Sequence, residues 1–150
     1  MKKIGLLVAV LVLCMAVNVS AVDLGYFHTN NVNGISVKSS EGVIRPQFIG
    51  QIYSWGGSLY VEAGLRGLYF LNKSGAVERY FSVGVNCSYS DGGGDQSYMT
   101  YGGHGSVGIE FPLGSTPFLL SVELGISGQK AGDSALSIGN NVGAGIHYRF

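Results

Sequence analysis

His104-Gly105-Ser106 sets a base and a hydroxyl two residues apart, and Glu123 follows one turn later in the chain. In an extended strand that spacing puts His104 and Ser106 on one face. With Glu123 on the neighbouring strand, the three side chains could act as base, nucleophile and orienting carboxylate in acyl hydrolysis. The bland alternative is that all three make hydrogen bonds in a polar interior. The same two outcomes apply to a metal site drawn from His104, His147 and Glu110 or Glu123. Asp91 and Asp95 flank glycines and could suggest Ca²⁺, but the segment lacks the regular carboxylate spacing of a calcium loop and reads as a solvated connection.

Which outcome holds depends on the elements carrying these residues. From Leu59 to Leu71 the odd positions are apolar or small, opposed by Tyr60, Glu62, Gly64, Arg66 and Leu68. After Lys73-Ser74-Gly75, Val77, Phe81, Val83, Val85, Cys87 and Tyr89 oppose Glu78, Tyr80, Ser82, Gly84, Asn86 and Ser88. Ser90 to Ser97 reads as a loop. Met99, Tyr101, Val107, Ile109 and Phe111 then oppose Thr100, His104, Ser106 and Glu110. Past a turn at 112–117, Phe118, Leu120, Val122, Leu124 and Ile126 oppose Ser121, Glu123, Ser127 and Gln129, and the loop Lys130 to Ser134 follows. Ile44, Phe48 and Ile52 against Arg45, Gln47, Gln51 and Tyr53 predict another strand, and Ile35 and Val37 against Ser36 and Lys38 a short one. Asp23 to Thr29, turned by Asn30-Asn31-Val32-Asn33, completes an even count of about eight.

The first 21 residues read as a secretory signal: Lys2 and Lys3, an apolar run from Ile4 to Val17, then small residues at Val19-Ser20-Ala21. Residues 22–150 are then one domain of about 129 residues. Losing Lys2 and Lys3 leaves seven basic side chains against nine acidic ones, a formal charge of −2. Such sparse, unclustered Lys and Arg exclude a nucleic-acid footprint. Cys14 falls in the signal, so Cys87 is expected as a lone thiol facing lipid. Twenty-five glycines, nine tyrosines and seven phenylalanines suit a kinked, aromatic-rich sheet, and no stretch after Ala21 sustains helical periodicity.

Alternation alone does not say which face is inside. Sparse charge, and aromatics at strand ends (Tyr69, Tyr89, Phe111, Phe118, Tyr148, Phe150), favour an apolar exterior. The interior then receives Lys38, Arg45, Gln47, Gln51, Glu62, Arg66, Glu78, Asn86, His104, Glu110, Glu123, Gln129, Asn141, His147 and Arg149. In a barrel of eight strands such side chains fill the lumen. Arg45, Glu62, Arg66, Glu110, Glu123, His147 and Arg149 are expected to form its polar network, with Arg66 among Glu62, Glu110 and Glu123.

The last strand sets Leu136, Ile138, Val142, Ala144, Ile146, Tyr148 and Phe150 on one face, interrupted by Asn140, against Gly139, Asn141, Gly143, Gly145, His147 and Arg149. Alternate apolar residues closing on Phe150 resemble the C-terminal strand of bacterial outer-membrane β-barrels, which implies that Ile146, Tyr148 and Phe150 serve as an assembly signal. Gly108-Ile109-Glu110-Phe111, Pro117, Leu120-Ser121-Val122-Glu123-Leu124-Gly125 and the terminal strand together resemble small uncharacterised outer-membrane barrels. That resemblance implies a Gram-negative outer-membrane address and no activity. His104-Gly105-Ser106 is similar to the His-x-Ser pair of outer-membrane lipid A deacylases, although Gly103 and Val107 replace that family's flanking residues. The reading is therefore an all-β, antiparallel, up-and-down transmembrane barrel, non-enzymatic and monomeric, with a plugged polar lumen and no cofactor, metal or catalytic residue. Its expected partners are outer-membrane lipids, periplasmic chaperones and the barrel-assembly machinery. A lipid A acyl hydrolase using His104, Ser106 and Glu123 is the alternative.

Overall fold

The computed structural model describes residues 21–72, 76–91 and 97–150. The expected signal segment, apart from Ala21, lies outside them, as do the turn residues 73–75 and most of the loop at 92–96. The described chain is eight antiparallel strands: β1 (Val22–Thr29), β2 (Asn33–Ser39), β3 (Ile44–Trp55), β4 (Ser58–Phe70), β5 (Glu78–Asp91), β6 (Ser97–Pro112), β7 (Phe118–Ala131) and β8 (Ser137–Arg149). Each pairs with its neighbour in sequence, and β8 closes on β1 with Asp23 opposite Arg149 and Thr29 opposite Gly143. Closure removes the open edges that a flat sheet of this composition would expose.

The two faces separate as the period-2 pattern requires. Leu65, Val83, Val85, Leu124, Ile126 and Ile146 are exposed on the outside, Val83 at 72% and Ile126 at 65%. Glu62, Arg66, Glu110, Glu123, Asn141 and His147 are buried inside at 5% or less. An apolar skin around a charged interior is the inverse of a water-soluble barrel and matches a bilayer-spanning one. Cys87 is a free thiol, part-buried on the outward face beside Ala63, Val85 and Tyr101, which line a shallow apolar groove.

Strand lengths are unequal. β1 and β2 have eight and seven residues, whereas the other six strands have between 12 and 16. The rim where β1 starts and β8 ends is called the lower rim below. The short β1–β2 hairpin therefore stops well below the upper rim.

A lysine at Val83 or Leu124 should destabilise the barrel by roughly 2–4 kcal/mol near the bilayer midplane, read as a lowered urea midpoint in lipid vesicles. In the same membranes, with the native thiol removed by Cys87→Ser, single cysteines at Leu65 or Ile146 should react with a lipid-soluble maleimide and cysteines at Arg66 or Asn141 should not; the opposite labelling order would mean that the polar face is outside.

Candidate functional site

Strand alternation directs one ladder of polar side chains into the lumen, where they form three tiers. In the lowest tier three cations interleave with three anions. Lys38 pairs with Glu110 and with Asp23 at 3.4 Å. The Arg45 guanidinium donates twice to Glu78, at 2.9 and 3.1 Å, and lies 3.6 Å from Glu110. Arg149 donates to both oxygens of Asp23, at 3.0 and 3.2 Å, and approaches Glu110 at 3.7 Å. Each charge thus meets at least one opposite charge, the condition under which burial is tolerated. Arg45 also stacks 3.7 Å over the Phe70 ring, which packs against Tyr80.

The middle tier is a continuous chain. Arg66 Nη1 donates to Glu123 at 2.6 Å, and its Nε donates to Gln47 at 2.8 Å. The Gln47 amide donates to Ser36 Oγ at 2.6 Å, and Ser36 lies 2.8 Å from His147 Nε2. On the other side Tyr80 and Ser106 donate to Glu123 at 3.3 and 3.4 Å, and Asn141 donates to Ser106 at 3.3 Å. Phe27 lies 3.9 Å beneath the Arg66 guanidinium, adding an aromatic face to the cation's partners. Glycine makes the room. A Cβ at Gly143 would come within 2.6 Å of Glu123 Cγ, and one at Gly84 within 2.6 Å of Arg66 Cβ and 2.7 Å of His104 Cε1.

The upper tier is built by the β1–β2 turn. Thr29 Oγ1 accepts from the Asn31 and Val32 backbone N–H groups, holding the turn folded inward. Val32 is fully buried with Phe27 and Ile49. The Asn31 carbonyl accepts from Asn86 on β5 at 3.0 Å, and its side chain accepts from Gln129 on β7 at 2.9 Å. A three-residue turn from one side of the barrel is thereby tied to the far wall. Beside it Glu62 accepts from Gln51 at 2.8 Å and from the Asn33 backbone at 3.2 Å.

Expectation and geometry differ at several points. Arg66 meets Glu123 but neither Glu62 nor Glu110, because Glu62 lies four residues higher on the same strand and Glu110 sits among the cations of the lowest tier. Asp23, Ser36 and the turn residues Asn31 and Val32 belong to the network and were not among the expected members. His104, Ser106 and Glu123 do share the inner face, but Ser106 is bonded to Glu123 and Asn141, and neither ring nitrogen of His104 has a hydrogen-bond partner among the described residues. The nucleophile–base contact that acyl hydrolysis requires is not formed. His147 is engaged by Ser36 rather than by a charge. Among the described residues no three His, Cys, Asp or Glu side chains gather around a common point; Asp95 lies outside those residues.

No family model matches this chain, and no curated protein matches it significantly in sequence. Solved structures do match in fold. The N-terminal β-barrel domain of Pseudomonas aeruginosa OprF superposes with a TM-score of 0.59 at 15% identity, covering 87% of this chain and 97% of that one. Neisserial surface protein A (NspA) gives 0.53 at 14%, covering 87% and 95%. Ail, the attachment invasion locus protein of Yersinia pestis, gives 0.51 at 12%, covering 87% and 97%. Fold and inverted polarity together define a small integral outer-membrane β-barrel protein of eight strands.

Replacing Arg66 by alanine strands the Glu123 carboxylate in the lumen and should destabilise the barrel by about 3–5 kcal/mol. Lys130→Ala, at an exposed position, should move the urea midpoint little. Equal midpoints for the two variants would show that the Arg66–Glu123 pair contributes nothing.

Proposed function

We propose that this protein is a non-enzymatic, monomeric outer-membrane barrel whose lumen is closed by its own side chains and which serves a structural or interaction role. The observation that carries this reading is the inward-folded turn 30–32, bonded to β5 and β7 above the two tiers of ion pairs. Side chains packed and bonded across the lumen at three levels leave no continuous path for a stream of ions or solutes. Its partners on this reading are the surrounding lipids, the periplasmic chaperones that deliver it and the machinery that inserts it.

Planar bilayers containing the purified protein should show no regular conductance steps; steady steps of uniform size would overturn the closed-lumen reading. Outer membranes with and without the protein should carry lipid A of the same acyl composition. Loss of an acyl chain that is restored by Ser106→Ala would replace this reading by hydrolysis.

Ile146, Tyr148 and Phe150 line the outside of the β8 end, where Tyr148 packs edge-on against both Phe118 and Phe150. We assign them a role in recognition during insertion. The double variant Tyr148→Ser, Phe150→Ser should refold into detergent with a modest loss of stability, yet accumulate poorly in cells. Normal accumulation would remove that assignment.

A further inference from the structure

The wall of the barrel is incomplete on one side of its upper part. Pairing between β2 and β3 ends at Ile35 opposite Gly50, and pairing between β1 and β8 ends at Thr29 opposite Gly143. Above those rows β3 continues through Gln51–Trp55 and β8 through Ser137–Val142, each paired with a strand on one side only, the Asn30 amide donating to the Asn140 carbonyl at 3.0 Å at the base of the opening. The gap between them is two strands wide. Measured from Tyr148, strands rising about 3.4 Å per residue at a tilt near 40° bring Val142 roughly 16 Å up and Ile138 roughly 26 Å up, against an apolar band of about 25 Å. The notch therefore lies at the depth of the half of the bilayer farther from the lower rim.

Its outer flanks are apolar, with Ile52 at 61% and Ile138 at 73% exposure. Its inner side is different. Tyr53 and Tyr60 stack with ring centroids 4.8 Å apart at 27°. Directly below them on the same face sit Gln51 and Glu62. Every other carboxylate in the lumen pairs with Lys or Arg, whereas Glu62 is held by uncharged donors, the Gln51 amide, the Asn33 backbone N–H and the Tyr60 hydroxyl.

We propose that this notch is a binding site for a single-chain amphiphile carrying a quaternary ammonium. The cationic head lies against the Tyr53–Tyr60 stack above Glu62, and the tail passes between Ile52 and Ile138 into the bilayer. Aromatic faces attract such cations, which need no hydrogen-bond acceptor, and the carboxylate beneath, which has no Lys or Arg partner, supplies the opposite charge. The lateral opening lets one molecule occupy both environments at once. The site does not depend on whether the lumen below is closed, because the turn 30–32 forms its floor.

Trp55, the single tryptophan, stands at the tip of the β3–β4 hairpin beside the site and reports on it. The full protein, refolded in dodecyl maltoside micelles, is titrated with dodecyltrimethylammonium while Trp55 fluorescence is followed. A saturable change is expected, with tetramethylammonium, lacking the tail, and dodecyl sulfate, with the opposite charge, each binding roughly tenfold more weakly or less. Glu62→Gln and Tyr53→Leu should each weaken binding of the cationic amphiphile by a similar factor, with folding verified by circular dichroism. Tyr53 is half-exposed at the rim, so Tyr53→Leu remains informative if Glu62→Gln fails to fold. Unchanged affinity in a folded variant, or equal binding of dodecyl sulfate, would overturn the proposal.

Discussion

The contact between Arg66 and Glu123 is the interaction on which the interior depends. Both side chains are shielded from water inside a structure whose outside faces hydrocarbon, so neither can relieve its charge by hydration. Their pairing fixes Gln47 through the guanidinium Nε, and Gln47 in turn fixes Ser36 and His147. Glu123 likewise gathers Tyr80 and Ser106. One ion pair thereby connects β2, β3, β4, β5, β6, β7 and β8 across the lumen, in addition to the backbone bonds that link them around the wall. The lower tier applies the same rule with six charges, where alternation of sign lets every group face an opponent.

Much of this was legible in the sequence because a strand has only two faces. Alternation at Leu65, Arg66, Val83, Gly84, Glu123 and Leu124 divided the residues between two faces, and the sparse charge and the aromatics at strand ends assigned those faces to lipid and lumen. The terminal strand read correctly for the same reason. What was not legible depends on three dimensions. Which carboxylate of another strand Arg66 meets is set by the successive registers from β4 to β7, and no pattern within one strand encodes that. Phe27, Val32 and Ile49 are apolar residues inside a polar lumen, so hydrophobicity alone gave no reason to place them there.

The turn Asn30-Asn31-Val32-Asn33 shows the limit most plainly. By composition it is an ordinary polar turn. Its inward fold comes from the Thr29 hydroxyl, which caps two backbone N–H groups, and from partners on β5 and β7 that are far away in sequence. His104 is the converse case: its spacing from Ser106 suggested chemistry, whereas the structure gives the serine to Glu123 and Asn141.

The shortness of β2 has a mechanical consequence. The β2–β3 seam has four paired residues and the β1–β8 seam seven, while each seam from β3 to β8 has between 12 and 14. Resistance to opening is therefore distributed unevenly around the circumference. The six long strands form a stiff gutter, and β1 with β2 forms a narrow hinged stave that closes it. When the barrel breathes, it will part along β2–β3 before any other line, exposing the amides of Ile35 to Lys38 to exchange ahead of the rest of the wall. The cylinder is thus strong along most of its girth and yields at one stave.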